Sequence, residues 1–312
     1  MIALLRRWAG FVKLSHTVFA LPFAVASMMV AARETRGWPG WRVFLLVLAA
    51  LVTARTCAMA FNRIVDRRFD ALNPRTAQRH LPAGAMGLTE AIALCVLSGA
   101  AFVGCAAGLN LLCLALSPVV LFFILFYSLT KRFTDFTHVW LGIALALAPL
   151  GAWVAVEGKI TLFPQDADLS GLAALRYGAL VPAALAAAVV LWLIGFDIIY
   201  ATQDYEFDRR HGLHSLVVRW GPGNALGVAF VCHIFMWAFL LLFGILSAFR
   251  FAYWIGLLLI LGLLLMEHLL ARRRDPASIN VAFFKLNAAI SLIFLVVVAV
   301  EVVFPWFRLR WY

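Results

Sequence analysis

Four aspartates in two pairs stand out in a sequence otherwise dominated by apolar residues: Asp66 with Asp70, and Asp204 with Asp208. Each pair has the four-residue spacing that puts both side chains on one face of a helix. Asn62 lies one turn before Asp66 on the same stripe, and Tyr200 one turn before Asp204. Two carboxylate pairs offer hard oxygen ligands of the kind that suits Mg2+, a cation that takes a few carboxylates and completes its shell with water and phosphate oxygens. Basic residues follow each pair: Arg67, Arg68, Arg75 and Arg79 after the first, Arg209 and Arg210 after the second. Carboxylates, a divalent cation and a ring of arginines form a clamp for a diphosphate leaving group. One such pair alone reads more simply as a solvated helix end in local ion pairs. Two pairs, each closing an apolar segment, favour the metal–diphosphate reading, because ionisable groups at membrane depth are costly and mostly functional.

The elements that must position these groups are membrane helices. Of 312 residues, 65% are hydrophobic and 13% charged, and the mean hydropathy is +0.97. So little polar surface cannot cover a water-soluble chain of this size, so the expected fold is all-α and polytopic. The net charge of +11 fits basic residues beside lipid headgroups. Without a basic, aromatic-interleaved soluble stretch to carry it, nucleic acid is excluded as a partner and membrane lipid is the expected surroundings. Long apolar runs predict nine transmembrane helices, at 14–32, 43–62, 88–108, 111–129, 138–156, 178–202, 224–247, 251–270 and 286–304, around a central apolar cavity. The runs are continuous and not alternating, which rules out spanning β-strands. Gly108-Leu109-Asn110 leaves almost no loop between two spans, so a tight helical hairpin is expected there.

Alternate loops differ sharply in charge. One set holds 17 of the Lys and Arg residues, among them Arg63, Arg67, Arg68, Arg75, Arg79, Lys131, Arg132, Arg209 and Arg210, and the opposite set holds eight. The positive-inside bias puts the N-terminus and both acidic clusters on the cytoplasmic face. The early apolar stretch lacks a small-residue cleavage site, so insertion through the first span is expected. The whole chain, 1–312, is expected to be one integral-membrane domain of the bacterial inner membrane. The five cysteines lie scattered in apolar stretches without CxxC spacing and read as buried apolar side chains. The acidic stretch that ends span two is loosely echoed at the end of span six, a hint of an internal pseudo-repeat.

Three strings together resemble a known family. Arg55-Thr-Cys-Ala-Met-Ala-Phe-Asn62-Arg-Ile-Val-Asp66-Arg-Arg-Phe-Asp70, continued by Arg75-Thr-Ala-Gln-Arg79-His-Leu-Pro82, is similar to the first signature of UbiA-type aromatic prenyltransferases. Asp197-Ile-Ile-Tyr200-Ala-Thr-Gln-Asp204-Tyr-Glu-Phe-Asp208 resembles the second, and Tyr127-Ser-Leu-Thr-Lys131-Arg132 a third. The likeness covers nearly the whole chain, and nine helices is the architecture it implies. It also implies that Asn62, Asp66, Asp70, Asp204 and Asp208 hold Mg2+ and the diphosphate of a polyprenyl donor. Lys131, with Tyr127 beside it, would contact the diphosphate, with Arg67, Arg75 and Arg79 as further candidates. Asp197 faces the site from a deeper position and would orient or deprotonate an aromatic acceptor, with Tyr200 on the neighbouring turn. Arg55, inside a span, either neutralises a buried aspartate or serves the pocket.

The chemistry implied is transfer of the polyprenyl group through an allylic carbocation, which needs a dry chamber because water would quench the cation. Phe61, Phe122, Phe123, Phe126 and Phe196 are aromatic candidates for its wall, although each reads equally well as lipid-facing or packing. The chain departs from the family pattern at Arg63, where many relatives carry an acid. Its first span, Lys13-Leu-Ser-His16-Thr-Val-Phe-Ala-Leu-Pro22, looks more like the subgroup tied to the futalosine route to menaquinone than the ubiquinone-pathway enzymes. The acceptor is therefore an aromatic carboxylate, 4-hydroxybenzoate or a dihydroxynaphthoate. A haem- or chlorophyll-type prenyltransferase is the rival within the family. An ion-coupled transporter is the rival from another class, although transporters concentrate charge near the bilayer midplane, whereas these acids lie at span ends. His211 and His214 read as solvated loop residues, and His16 as either an acceptor contact or a helix–helix hydrogen bond.

Overall fold

The computed structural model describes residues 7–8, 10–12, 17–161, 178–273 and 275–304. His16 lies outside the described residues. Among those described, every regular element is helical: α1 (Thr17–Ala31), α2 (Trp41–Leu72), α3 (Leu88–Leu109), α4 (Leu111–Thr130), α5 (Thr137–Glu157), α6 (Leu180–Ala201), α7 (Tyr205–Arg210), α8 (Leu216–Leu246), α9 (Phe251–Ala271), α10 (Pro276–Asn280) and α11 (Asn287–Val303). A 3-10 turn at Thr202–Asp204 joins α6 to α7, and a π-helical turn at Val281–Leu286 joins α10 to α11. Among these residues eight segments are long and apolar enough to cross a membrane, with α6–α7 and α10–α11 each acting as one segment; the apolar part of α1, Phe19–Ala31, is shorter. The protein is an integral membrane protein with eight long candidate spans among the described residues, one fewer than the nine expected; the shorter apolar helix stands where the first span was expected.

Successive helices pack side by side, α2 on α3, α3 on α4, α4 on α5, α5 on α6, α6 on α8, α8 on α9 and α9 on α11; α1 closes the circle against α11 and α5. Van der Waals fit and interhelical hydrogen bonds hold such a bundle, because lipid tails are as apolar as the helix faces themselves. The Ser27 hydroxyl donates to the Pro149 carbonyl oxygen at 2.7 Å, tying α1 to α5. Small residues permit close approach. A Cβ on Gly142 would stand 2.9 Å from the Val190 carbonyl oxygen, and one on Gly195 would overlap the His233 ring. A buried polar network crosses the second half of the bundle. The Trp192 indole N–H donates to Asn287 Oδ1 at 2.6 Å, and Asn287 Nδ2 donates to Glu267 at 2.8 Å and to the Ala282 and Phe283 carbonyls of the π turn. The Asn287 amide thereby satisfies carbonyls that the irregular turn leaves without a standard helical partner.

Two helix ends matter for the site. Asn110 is the only residue between α3 and α4. Its side-chain oxygen caps α4 by accepting from Cys113 N at 2.8 Å, while its amide donates to the Val154 carbonyl of α5. Helix α2 runs ten residues beyond its expected end, through Leu72. At 1.5 Å per residue it is about 48 Å long, well beyond the roughly 30 Å of a hydrocarbon core, so its last turns project past the apolar zone. Asp66 and Asp70 ride on those turns.

Candidate active site

Both acidic clusters converge on one cavity of about 210 Å3, walled by the ends of α2, α4, α5, α6 and α7 and by the 73–79 segment that follows α2. Asn62, Asp66, Asp70, Arg75, Arg79, Tyr127, Lys131, Asp197, Tyr200, Asp204 and Asp208 all line it. Eleven of the thirteen residues singled out in the sequence thus meet in one place. Arg55 and Arg67 are not part of that wall. Arg67 instead turns back on its own helix, donating from Nη1 to the Ile64 carbonyl at 2.9 Å.

Each aspartate of the two pairs is held by a cation from a different element. Arg75 grips Asp204 with two donors, Nε to Oδ1 at 2.9 Å and Nη2 to Oδ2 at 2.5 Å, and its Nη1 donates to the Tyr200 hydroxyl at 2.8 Å. The same guanidinium lies 5.2 Å from the Tyr200 ring centroid, and the Asn73 amide adds a 3.2 Å bond to Asp204. Arg79 donates to Asp70 at 2.6 Å, with buried Arg63 3.8 Å away on the other carboxylate oxygen. Arg63 therefore stands as a counter-ion to the acid about two turns further along α2. Lys131 Nζ is 3.1 Å from Asp208, and Arg132 reaches Asp66 at 3.4 Å while also donating to the Val65 carbonyl. Asp66 further accepts from Asn62 Nδ2 at 2.9 Å, the one-face geometry that four-residue spacing predicts. Burial works against charge on Arg75 and Lys131. The facing groups outweigh it, Asp204 and Tyr200 for Arg75 and Asp208, Asp204 and Asp197 for Lys131, so both pKa values lie above their ordinary range.

The second acidic cluster is not one continuous helix. After Ala201 the chain tightens into the 3-10 turn, where Thr202 Oγ1 donates to the Ile199 carbonyl at 2.7 Å, before α7 carries Asp208. Both acids still reach the cavity. Below them Asp197 accepts from His138 Nδ1 at 2.6 Å. The Tyr200 ring packs on Phe283 of the π turn, with centroids 4.2 Å apart.

A second, apolar chamber of about 380 Å3 lies further along the same helices. Val47, Ala50, Leu51 and Ala54 of α2 wall it where Asn62, Asp66 and Asp70 wall the polar cavity. On α4 the change falls between Ile124 and Tyr127, and on α5 between Ala144 and Leu141. Four helices, α2, α4, α5 and α6, therefore present polar side chains at one end and an apolar trough at the other. Arg55 follows Ala54 on α2 but lines neither space; it interacts electrostatically with Tyr127 of the polar wall, and its Nε is buried without a hydrogen-bond partner among the described residues. The aromatic candidates Phe61, Phe122, Phe123, Phe126 and Phe196 line neither space; Phe122 stacks on Phe126, and Phe196 is buried against Phe19 and Trp192.

These features have counterparts in known proteins. The sequence pattern of the UbiA prenyltransferase family matches residues 20–300. The chain belongs to that family. It is a prenyltransferase, and the transporter alternative falls with that membership. The 4-hydroxybenzoate octaprenyltransferase of Coxiella burnetii is 32% identical over 264 residues, spanning 83% of this chain and 84% of that one. The enzyme of the same name from Nitrosospira multiformis is 32% identical over 259 residues, spanning 83% and 82%. The apo structure of a UbiA homolog from Aeropyrum pernix K1 shares 33% identity over 92% of this chain and 98% of that one, with a TM-score of 0.78. A UbiA homolog from Archaeoglobus fulgidus bound to GPP and Mg2+ shares the fold at 19% identity, over 94% and 99% of the two chains, with a TM-score of 0.67.

Among the cavity residues that the sequence reading did not assign to the site are Asn73, Arg132 and His138. Asn73 and Arg132 carried a local signal, since one closes α2 and the other follows Lys131. His138 carried a different one, a titratable side chain at the start of an apolar span. The loop histidines are as expected outside the cavity wall: His211 bonds the Phe207 carbonyl and His214 bonds Asp135.

Proposed function

We propose that this prenyltransferase moves a polyprenyl group from a polyprenyl diphosphate to an aromatic carboxylate, 4-hydroxybenzoate or a dihydroxynaphthoate, in quinone biosynthesis. The observation that carries the proposal is that the same four helices wall a clamp of alternating acids and cations at one end and an apolar trough at the other, with Arg55 on α2 between the two stretches. A diphosphate headgroup, an isoprenoid tail and a carboxylate-bearing ring need those three environments. The name shared by the Coxiella and Nitrosospira relatives points to the same class of acceptor. The polar end is assigned to the cytoplasmic face of a bacterial inner membrane, following the charge bias of the loops.

The donor set fits Mg2+. Asn62, Asp66, Asp70, Asp204 and Asp208 supply only hard oxygen atoms. Among the described residues no three acids, histidines or cysteines close on a common point that would hold a metal by themselves. A cation that keeps several waters and shares phosphate oxygens does not require such a cage. When bound, Mg2+ supplies charge neutralisation on the diphosphate, which makes it a better leaving group.

The residues of the chain account for the remaining work. Arg75, Arg79, Lys131 and Arg132 direct N–H donors into the cavity and hold phosphate oxygens as the C1–O bond breaks. The apolar trough keeps water from the allylic cation. Arg55 pairs with the acceptor carboxylate, and Asp197 takes the proton that the ring releases.

The test is incubation of the protein in bilayer discs with a polyprenyl diphosphate and both acceptors in competition, with and without Mg2+. The expected result is one prenylated aromatic carboxylate, dependent on Mg2+ and lost in Asp66→Ala and Asp204→Ala. No product from either acceptor, or unchanged turnover in both variants, overturns the proposal.

A further inference from the structure

His138 is a buried cavity-lining residue whose chemistry the proposed function leaves unused. It is the second residue of α5 and is fully buried. Its Nδ1 lies 2.6 Å from Asp197 Oδ2, across the α5–α6 interface. Its Nε2 is buried with no hydrogen-bond partner among the described residues. The two ring nitrogens are therefore unequal. A carboxylate oxygen only accepts, so Nδ1 carries the hydrogen. Nδ1 is thus the donor to Asp197.

Asp197 is unequal in the same sense. Oδ2 is taken by His138, while Oδ1 has no hydrogen-bond partner among the described residues, and the side chain keeps 23% of its surface open. The start of α5 is itself pinned, with the hydroxyls of Thr137 and Thr130 2.9 Å apart and Thr130 Oγ1 donating to the Tyr127 carbonyl at 2.6 Å. The imidazole thus stands on a fixed point between the end of α4, which bears Lys131, and the Asp197 turn of α6.

We propose that His138 is a positioning residue for prenyl transfer: through Nδ1–H it locks the Asp197 carboxylate in one orientation and presents Oδ1 to the acceptor ring. The proposal rests on the function given above. In the step it serves, the donor C1–O bond breaks and its electron pair leaves with the diphosphate. A ring carbon gives an electron pair to C1, forming the new C–C bond. The proton on that ring carbon passes to Asp197 Oδ1, and its bonding pair returns to the ring. A carboxylate free to rotate would spend part of its time with neither oxygen directed at that proton, so loss of the imidazole donor slows the step without weakening the grip on the diphosphate.

Three variants test this: His138→Asn, whose amide can place a donor near the Nδ1 position, His138→Gln, whose longer side chain places it nearer Nε2, and His138→Leu, which has none. The measurements are kcat and separate KM values for donor and acceptor in bilayer discs. Loss of one hydrogen bond to a charged group corresponds to a fall of about 10- to 100-fold in kcat for His138→Leu, with the donor KM within about twofold. His138→Asn is expected to recover most of that loss and His138→Gln little of it. Equal kcat in all three variants, or a rise in donor KM that accounts for the loss, overturns the proposal and leaves His138 as packing. If His138→Leu does not fold, the Asn and Gln pair decides the matter alone. Failure of the wild type to prenylate either acceptor sinks the functional reading itself; an active wild type matched by its His138 variants sinks only this inference.

Discussion

Arg75→Lys keeps the charge of the most heavily bonded cation in the cavity and removes its fork. The arginine spends three N–H donors on three oxygens, two of Asp204 and one of Tyr200. A lysine has one nitrogen at the end of a flexible stem and keeps at most one of those contacts in good geometry. Hydrogen bonds to charged groups contribute roughly 1.5–3 kcal/mol each. The Arg75 side chain is 31% exposed, so the low end applies; two lost contacts then cost about 2–3 kcal/mol, or roughly a 30- to 150-fold change. Asp204 would retain the Asn73 amide at 3.2 Å. The expectation is a fall of about 30-fold or more in kcat/KM for the polyprenyl diphosphate with the acceptor KM nearly unchanged. Steady-state assays with each substrate varied in turn give both numbers. A variant within threefold of wild type, or one whose defect lies in the acceptor KM, refutes the view that this fork organises the diphosphate end.

Arg55→Gln should raise the KM for the aromatic carboxylate by about tenfold or more and leave the donor KM alone, since its Nε has no hydrogen-bond partner among the described residues and its charge lies near Tyr127 of the cavity wall. Asp66→Asn and Asp208→Asn should each lower turnover by at least about 100-fold, and chelation of Mg2+ should abolish it reversibly, as read by product formation before and after Mg2+ is restored. Ala50→Phe, which fills the apolar trough, should favour shorter donors over longer ones in a competition assay while kcat for the shortest donor holds. Gly142→Val should lower the melting temperature in detergent, because its side chain meets the Val190 carbonyl oxygen at 2.9 Å, a clash costing about 1–3 kcal/mol.

Much of this arrangement is written locally. The four-residue spacings place Asn62, Asp66 and Asp70 on one stripe, and the observed Asn62–Asp66 bond is the direct result. The span ends fall close to where the hydropathy of the chain changes, except at the start of α8, which begins at Leu216 and is broken at Gly221, and on α2. There helix-compatible polar residues continue the helix through Leu72 after the apolar run has ended. What local pattern does not contain is which neighbour each face meets. His138 lies 59 residues from Asp197 and Arg75 lies 129 from Asp204, and only the closed order of helices brings them together. Arg67 shows the converse. It is adjacent to Asp66, but successive residues on a helix point about 100° apart, so proximity in sequence carried it off the cavity. The phenylalanines were ambiguous because lipid, core and cavity all select the same side chain.

The shared helices of the two cavities have a further consequence for traffic. From Asp66 back to Val47 is about 29 Å of helix, close to the full thickness of a hydrocarbon core. A tail seated in the trough therefore lies parallel to the acyl chains of the surrounding lipid before, during and after the reaction. On the proposed reading only the small ring has to enter from water, and the departing product, its tail already among the lipids, is resisted by their order and not by the viscosity of the aqueous phase. The bilayer thus becomes part of the release step, and the enzyme's tempo is tied to the membrane around it.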